Sequence, residues 1–281
     1  MTILNTILLL CIIGVVAGFA LYFVAKKFKV DENPLYGEVE AMLPGANCGG
    51  CGFPGCRKLA ENMVDSPTLE GLYCSVGGAE TMDKIGTFLG KNVEKKDMQV
   101  AVVRCSGSCD KRPKTNNYEG ISSCAFAASF YAGDTGCSFG CFGLGDCESA
   151  CQFGAIKVNP DTKIPAVTTS LCTACGQCAN ACPQHLIEIR KTNKKDFKIY
   201  VGCSNKDKGA VARKACSAAC IGCGKCTKVC PNEAITVTDF LAYIDVNKCK
   251  LCRKCVEECP TGAIIETNFP PRVKKEEKSE N

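Results

Sequence analysis

Tryptophan is absent from the 281 residues, and His185 is the single histidine. The second scarcity excludes Cys2His2 zinc sites and any histidine-based catalytic triad. No glycine fingerprint follows an apolar strand pattern, and there is no P-loop. The glycines of CFGLGDC and CIGCGKC lie between cysteines, so they offer no cradle to a dinucleotide. Flavin and nicotinamide therefore have no site in this chain. The net charge of +5 is too small to argue for nucleic acid. With 46% hydrophobic and 22% charged residues, wholesale disorder is excluded too.

Cysteine is abundant instead: 26 residues, above the level that marks a cysteine scaffold. Disulfides and metal compete for these thiols, and compartment decides between them. Ile3 to Ala25 is a stretch in which Asn5 and Thr6 are the only strongly polar residues. About 20 apolar residues cross a bilayer as a helix. Lys26, Lys27 and Lys29 follow, and no basic side chain precedes. The positive-inside rule then puts the N-terminus outside and the bulk of the chain in the cytoplasm, tethered to the cell membrane by one span. A cleaved signal peptide is the competing reading. It wants a basic leader, a shorter core and a small-x-small site, none of which is clean here. Gly14 and Gly18 form a GxxxG pair, read equally as a helix-packing face or as chance. Cys11, at membrane depth, is a bystander. Cytoplasmic thiols stay reduced, so the other cysteines read as metal ligands.

The pattern C-x2-C-x2-C-x3-C-P occurs at 172–182, 220–230 and 249–259. This is the bacterial ferredoxin run for [4Fe–4S] clusters, in which the fourth cysteine ligates the other cluster of a pair. Zinc prefers two separated C-x2-C pairs, and a third cysteine at the same step is superfluous for it. CQFGAIKV, CPQHLIEI, CPNEAITV and CPTGAIIE repeat one design, a last ligand followed by a turn and a short strand. The repeats pair into units 137–190 and 220–267. The crossing rule assigns Cys220, Cys223, Cys226 and Cys259 to one cluster, and Cys230, Cys249, Cys252 and Cys255 to another. In the first unit it groups Cys151, Cys172, Cys175 and Cys178, leaving Cys137, Cys141, Cys147 and Cys182. The last set departs from pattern, with Gln152 where proline is expected.

Cys48, Cys51, Cys56 and Cys74 stand in PGANCGGCGFPGC and beyond, a glycine-rich loop before a helical run from Cys56 to Val64. A helix N-terminus there favours an anionic cluster; a zinc knuckle is the alternative. Cys105, Cys109, Cys124, Cys203 and Cys216 remain. MQVAVVRCS and DFKIYVGCS look alike; if their strands pair, Cys105 and Cys203 meet. That places a sixth cluster on Cys105, Cys124, Cys203 and Cys216, with Cys109 as a rival ligand. Buried structural thiols are the competing reading. His185 reads as a turn residue. The stretch 188–215 carries nine basic and three acidic residues, read either as a solvated face or as a dock for an acidic redox protein.

The expected fold is α+β: a transmembrane anchor (1–29), a small helical [4Fe–4S] domain (30–98), and two ferredoxin-like units (137–190 and 220–267). An insertion at 99–136, open to pairing with 191–219, forms a small extra domain beside the first unit. A flexible tail occupies 268–281.

An anchor, then CGGCGFPGC with a later cysteine, then ferredoxin runs: the chain resembles the B subunit of the Rnf complex, in its long, cluster-rich form. The resemblance spans nearly the whole chain. It implies an iron–sulfur subunit that exchanges electrons with ferredoxin and passes them to other membrane and peripheral subunits. That complex couples ferredoxin:NAD oxidoreduction to Na+ or H+ transport, and its flavin and NAD sites lie in other subunits. It also implies that Cys48, Cys51, Cys56 and Cys74 form the membrane-proximal cluster. The alternatives are a polyferredoxin of another membrane oxidoreductase, such as a hydrogenase or formate dehydrogenase, and a non-redox zinc scaffold.

Overall fold

The computed structural model describes residues 2–27, 33–94, 97–130, 133–193 and 195–271. The unbroken apolar run near the N-terminus forms α1 (Thr2–Lys27). Its stretch Asn5–Val24 is long and apolar enough to cross a membrane, and none of it packs on the rest of the chain. Five residues separate α1 from Asn33, so the next domain lies within about 20 Å of its end.

Asn33 starts that domain. Its side chain accepts from the Leu35 N–H and Pro34 takes the first helical position, opening α2 (Pro34–Met42). Helices α3 (Cys56–Asp65) and α4 (Gly78–Leu89) complete a three-helix packing around Val39, Leu59, Met63, Met82 and Ile85. Lys91 Nζ closes the end of α3 by donating to the carbonyls of Met63, Val64 and Ser66 at 2.6–2.8 Å. This is the small helical domain expected from the sequence, and the helix at Cys56 is where the pattern placed it.

Each ferredoxin unit consists of two antiparallel two-stranded sheets flanked by one-turn helices. In the first unit β2 (Ile156–Val158) pairs with β3 (Pro165–Val167), and β1 (Gln99–Val103) pairs with β4 (Ile187–Lys191). In the second, β6 (Ile235–Thr238) pairs with β7 (Leu241–Ile244), and β5 (Lys198–Val201) pairs with β8 (Ile264–Thr267). The short helices are α5 (Cys124–Ser129), α6 (Asp146–Ser149), α7 (Gln177–Asn180), α8 (Gly209–Ala215), α9 (Lys225–Lys228) and α10 (Lys254–Glu257).

The expected pairing of 99–103 with 198–201 does not occur. Each of these strands completes the sheet of its own unit, which would otherwise leave β4 or β8 with an unpaired edge. The insertions are therefore no separate domain; their first strands belong to the units. Cys105 and Cys203 still approach each other, because the strand exits abut. Ser106 N–H donates to the Gly202 carbonyl at 2.8 Å, and Ser204 Oγ to the Arg104 carbonyl at 3.2 Å.

The two units lock together at Tyr243. Its hydroxyl donates to Glu188 at 2.7 Å, and the guanidinium groups of Arg104 and Arg190 lie 5.2 and 5.6 Å from its ring centre. Arg190 also donates to the Ile244 carbonyl. The tail expected to be flexible falls, from residue 272 on, outside the described residues.

Candidate metal centres

One local design recurs four times. A last cysteine opens a turn in which its carbonyl accepts from the N–H three residues on: Gly154, His185, Glu233 or Gly262. All four sit at positive φ, between 47° and 63°. The next N–H then points at the cysteine sulfur, from Ala155 to Cys151 at 3.3 Å, Leu186 to Cys182 at 3.4 Å and Ala234 to Cys230 at 3.3 Å. Strand N–H groups do the same from outside, Ala101 to Cys172 and Ala242 to Cys220, both at 3.5 Å. His185 is thus a turn residue, as the sequence suggested.

The structure gathers Cys48, Cys51, Cys56 and Cys74 around one pocket floored by Leu59. Asn47 Oδ1 accepts from the Cys56 N–H at 2.8 Å and so caps α3, while Gly77 N–H donates to Cys74 Sγ at 3.3 Å. Burial pushes the Cys74 thiol up, and facing Cys56 and Cys51 adds to it. Cys178 faces Cys172, Cys175 and Cys151, its thiol pushed up to about 11, first by burial. Cys220, Cys223, Cys226 and Cys259 line a third pocket. Cys255 faces Cys249, Cys252 and Cys230 and is pushed up to about 12, again mainly by burial. These four groups match the sequence groupings.

The other two groups differ from expectation by an exchange. Cys124, not Cys137, lines an apolar pocket with Cys141, Cys147 and Cys182. Burial pushes Cys147 up to about 12, and the facing thiols of Cys124 and Cys182 add to it. Cys137 instead sits by Cys216, which also faces Cys105. Cys203 faces Cys105 and is pushed up to about 11, chiefly by burial. Asn205, only 1% exposed, ties this group together. Its Nδ2 donates to Cys137 Sγ and its N–H to Cys203 Sγ, both at 3.5 Å.

The physical reason lies in register. The run CFGLGDC carries positive φ at Gly143 and Gly145, and CIGCGKC carries it at Gly222 and Gly224. A Cβ on Gly143 would strike the Lys163 backbone, and one on Gly222 the Phe240 backbone, because each loop folds under the adjacent hairpin. The two loops are equivalent, and Leu144 stands where the other run has Cys223. Cys141, Cys147 and Cys151 are thus a normal run without its middle ligand. Cys124, at the start of α5, fills that corner. Asp146 holds it there by accepting from Ser123 Oγ at 3.0 Å and Ala125 N–H at 2.9 Å. Cys137 lies outside the run. Cys109, the rival ligand, is exposed, and its Sγ faces the Thr162 carbonyl at 3.6 Å.

The donor sets suit an iron–sulfur cluster. Each offers soft thiols with N–H groups aimed at sulfur, and three of the sets stand in pockets of largely apolar lining. A single zinc would draw four sulfurs to about 3.8 Å from one another. Among the described residues no group of three or more histidine, cysteine or acidic side chains is set to hold a single metal ion.

The groups form a series. Cys255 faces Cys226 of the next group. Cys203 accepts from the Cys220 N–H. Cys141 faces Cys105, and Cys147 faces Cys178. At the far end Gln177 Nε2 donates to the Cys48 carbonyl, and Gly50 packs so closely on Cys175 that it has no room for a Cβ. Of the cysteines in these groups, only Cys223 and Cys252, at the other end, are exposed. Exposed Lys225, Lys228, Lys248, Lys250 and Lys254 surround them in sequence. The basic stretch 188–215 is partly structural instead: Arg190 and Lys198 are buried, and Lys198 pairs with Asp196 at 2.8 Å.

Three family models match the chain. One described as "Putative Fe-S cluster" covers residues 43–68, a "4Fe-4S binding domain" covers 165–188, and a "4Fe-4S dicluster domain" covers 219–263. The chain is 41% identical to the B subunit of the Na+-translocating ferredoxin:NAD+ oxidoreductase complex of Acetobacterium woodii, over 88% of this chain and 74% of the relative. It is 41% identical to the B subunit of the ion-translocating oxidoreductase complex of Methanosarcina acetivorans, over 88% and 91%. It is 38% identical to the B subunit of the proton-translocating ferredoxin:NAD+ oxidoreductase complex of Clostridium ljungdahlii, over 88% and 86%. With its cluster domains and its one candidate membrane helix, the chain belongs to the B-subunit family of the Rnf ion-translocating oxidoreductase complexes, as their membrane-associated iron–sulfur electron-transfer subunit.

Proposed function

We propose that the chain is a single wire of six [4Fe–4S] clusters between ferredoxin and the membrane-proximal subunits of its complex. The series of cysteine groups, open only at Cys223 and Cys252, carries this reading. The ligand sets in wire order are Cys230, Cys249, Cys252, Cys255; Cys220, Cys223, Cys226, Cys259; and Cys105, Cys137, Cys203, Cys216. They continue with Cys124, Cys141, Cys147, Cys182; then Cys151, Cys172, Cys175, Cys178; and finally Cys48, Cys51, Cys56, Cys74. Each cluster supplies one-electron storage. The protein holds the thiolates, buries at least one of them in every inner group, and donates N–H hydrogen bonds that ease the added charge. The group on Cys105 joins the two ferredoxin-like units, which then run from β1 to β4 and from β5 to β8.

Ferredoxin docks where lysines flank the exposed thiolates, because charge steers an acidic partner to that edge. Lys26, Lys27 and Lys29 place this end in the cytoplasm, with the N-terminus outside. The Cys48 group, in the domain whose first residue lies within about 20 Å of the end of α1, is the exit toward the subunits that couple electron flow to ion transport.

The test is iron, sulfide and zinc per chain on anaerobically purified protein, with its visible spectrum before and after reduced ferredoxin is added. Iron near 24, four per cluster, with bleaching is expected. Iron near 20 removes the sixth site. Full iron without bleaching moves the ferredoxin dock to another subunit. Zinc without iron overturns the reading. Charge reversal at Lys250 and Lys254 slows bleaching by ferredoxin but not by dithionite if the dock is placed correctly.

A further inference from the structure

Arg112 is 4% exposed, and among the described residues no carboxylate pairs with it. The nearby acid Asp134 is engaged by Lys114 at 3.1 Å and by the Tyr118 N–H. Arg112 Nη1 donates to the Cys141 carbonyl at 2.8 Å and reaches Thr135 Oγ1 at 3.5 Å, while Nε has no partner. The fold makes room for this side chain. A Cβ on Gly107 would meet Arg112 Cδ at 2.6 Å, and one on Gly140 would meet Nη1 at 2.5 Å.

A buried, unpaired guanidinium is costly unless negative charge faces it. Arginine keeps its proton at every physiological pH, so it cannot escape the cost by neutralising. Two places near it can supply that charge. Burial and neighbouring thiols push both Cys141 and Cys216 up, and Arg112 opposes this at both. The first belongs to the group of Cys124, Cys141, Cys147 and Cys182, the second to that of Cys105, Cys137, Cys203 and Cys216. A cluster with four thiolates is an anion, and it gains one more negative charge when one electron arrives from its neighbour. No proton or bond changes in that step.

We propose that Arg112 is a fixed counter-charge shared by the two middle sites of the wire, favouring the reduced state of both and raising both potentials together. Arg112 acts as a positioning residue as well, since it holds the Cys141 carbonyl and hence the loop from Cys137 to Cys141. The proposal rests on the reading of these eight cysteines as ligands.

The experiment uses the full chain, purified anaerobically as wild type, Arg112→Gln and Arg112→Lys. Iron and sulfide are counted, and the clusters are titrated by EPR against potential. Components are assigned by their absence in Cys124→Ala and Cys137→Ala. Arg112→Gln is expected to keep full iron and to shift two components, those of the two middle sites, to lower potential. Arg112→Lys restores most of the shift. Full iron with both components unmoved overturns the proposal, as does an equal shift in all components. If Arg112→Gln sheds iron from the two sites, the lysine variant decides. Iron kept in Arg112→Lys supports a counter-charge; iron lost in both variants makes Arg112 a packing residue and overturns it. Wild-type iron near 16 or 20 has a different signature, since it brings down the ligand reading itself and this proposal with it.

Discussion

Replacing Cys124 and Cys137 in turn separates the two possible groupings of the middle cysteines, and Leu144 supplies the deciding second change. Each alanine variant is expected to lose one cluster, about four of about 24 iron atoms per chain. The iron count alone does not tell which cluster was lost. Leu144, however, sits three residues after Cys141 and three before Cys147, half-buried, between Gly143 at φ 72° and Gly145 at φ 91°. Cys223 sits between Gly222 at φ 63° and Gly224 at φ 70°. A cysteine at 144 therefore has the backbone of a standard middle ligand and needs less volume than the leucine it replaces. It is expected to return the lost iron and the missing EPR component to Cys124→Ala, whose site lacks only that corner. It is expected to return nothing to Cys137→Ala, because the run that holds Leu144 lines the pocket of Cys124, Cys141, Cys147 and Cys182, to which Cys137 does not belong. The assay is iron per chain and EPR on the four anaerobic variants. Rescue of Cys137→Ala but not of Cys124→Ala would refute the exchange and reinstate the grouping of Cys137 with Cys141, Cys147 and Cys182.

Two further outcomes follow from local geometry. Gly50→Ala drives a Cβ into the Cys175 backbone; overpacking of this kind costs about 1–3 kcal/mol. That weakens docking of the helical domain about 5- to 150-fold, so stopped-flow reduction of the Cys48 cluster should slow while iron content stays full. Unchanged kinetics would mean that electrons cross elsewhere. His185→Gly relieves a residue held at φ 50°. The left-handed penalty of about 1–2 kcal/mol, less about 0.5–1 kcal/mol for the added freedom of glycine, predicts a variant stabilised by up to about 1.5 kcal/mol in anaerobic thermal unfolding. Loss of a cluster signal in that variant would show His185 to be more than a turn residue.

Four of the proposed groups were legible in the sequence because their members follow local rules. A C-x2-C-x2-C run fixes three corners of a cube within one loop, and the following turn sends the fourth cysteine to the partner site. The glycine-rich loop at Cys48 is similarly self-contained. The remaining groups draw on segments far apart in the chain, and there local spacing misleads. Cys137-x3-Cys141 looks like the start of a run, yet glycine register shows that the run begins at Cys141. The match of CFGLGDC to CIGCGKC carries that signal in one-letter code, with Leu144 marking the empty corner. That Cys124 fills it was not legible, since its position depends on Asp146 gripping the start of α5.

The likeness of MQVAVVRCS and DFKIYVGCS was also informative, but of equivalence rather than of contact. Both segments serve as the first strand of a ferredoxin unit, and two copies of one role have no reason to pair with each other. Each meets the last strand of its own unit, Val103 opposite Ile187 and Val201 opposite Ile264. The cysteine after each strand then emerges at the junction between units. Cys105 from the first and Cys203 from the second arrive there as a consequence of duplication. Cys137 and Cys216 stand at equivalent places too, each four residues before its run, in CSFGC and CSAAC. A site built this way has no single-loop signature. What marks it instead is a pair of buried polar side chains turned toward its thiols: the guanidinium of Arg112 beside Cys141 and Cys216, its Nε without a partner, and the amide of Asn205 on Cys137. Buried polar groups are kept where a partner meets them, and thiols of this junction are among the partners of both side chains.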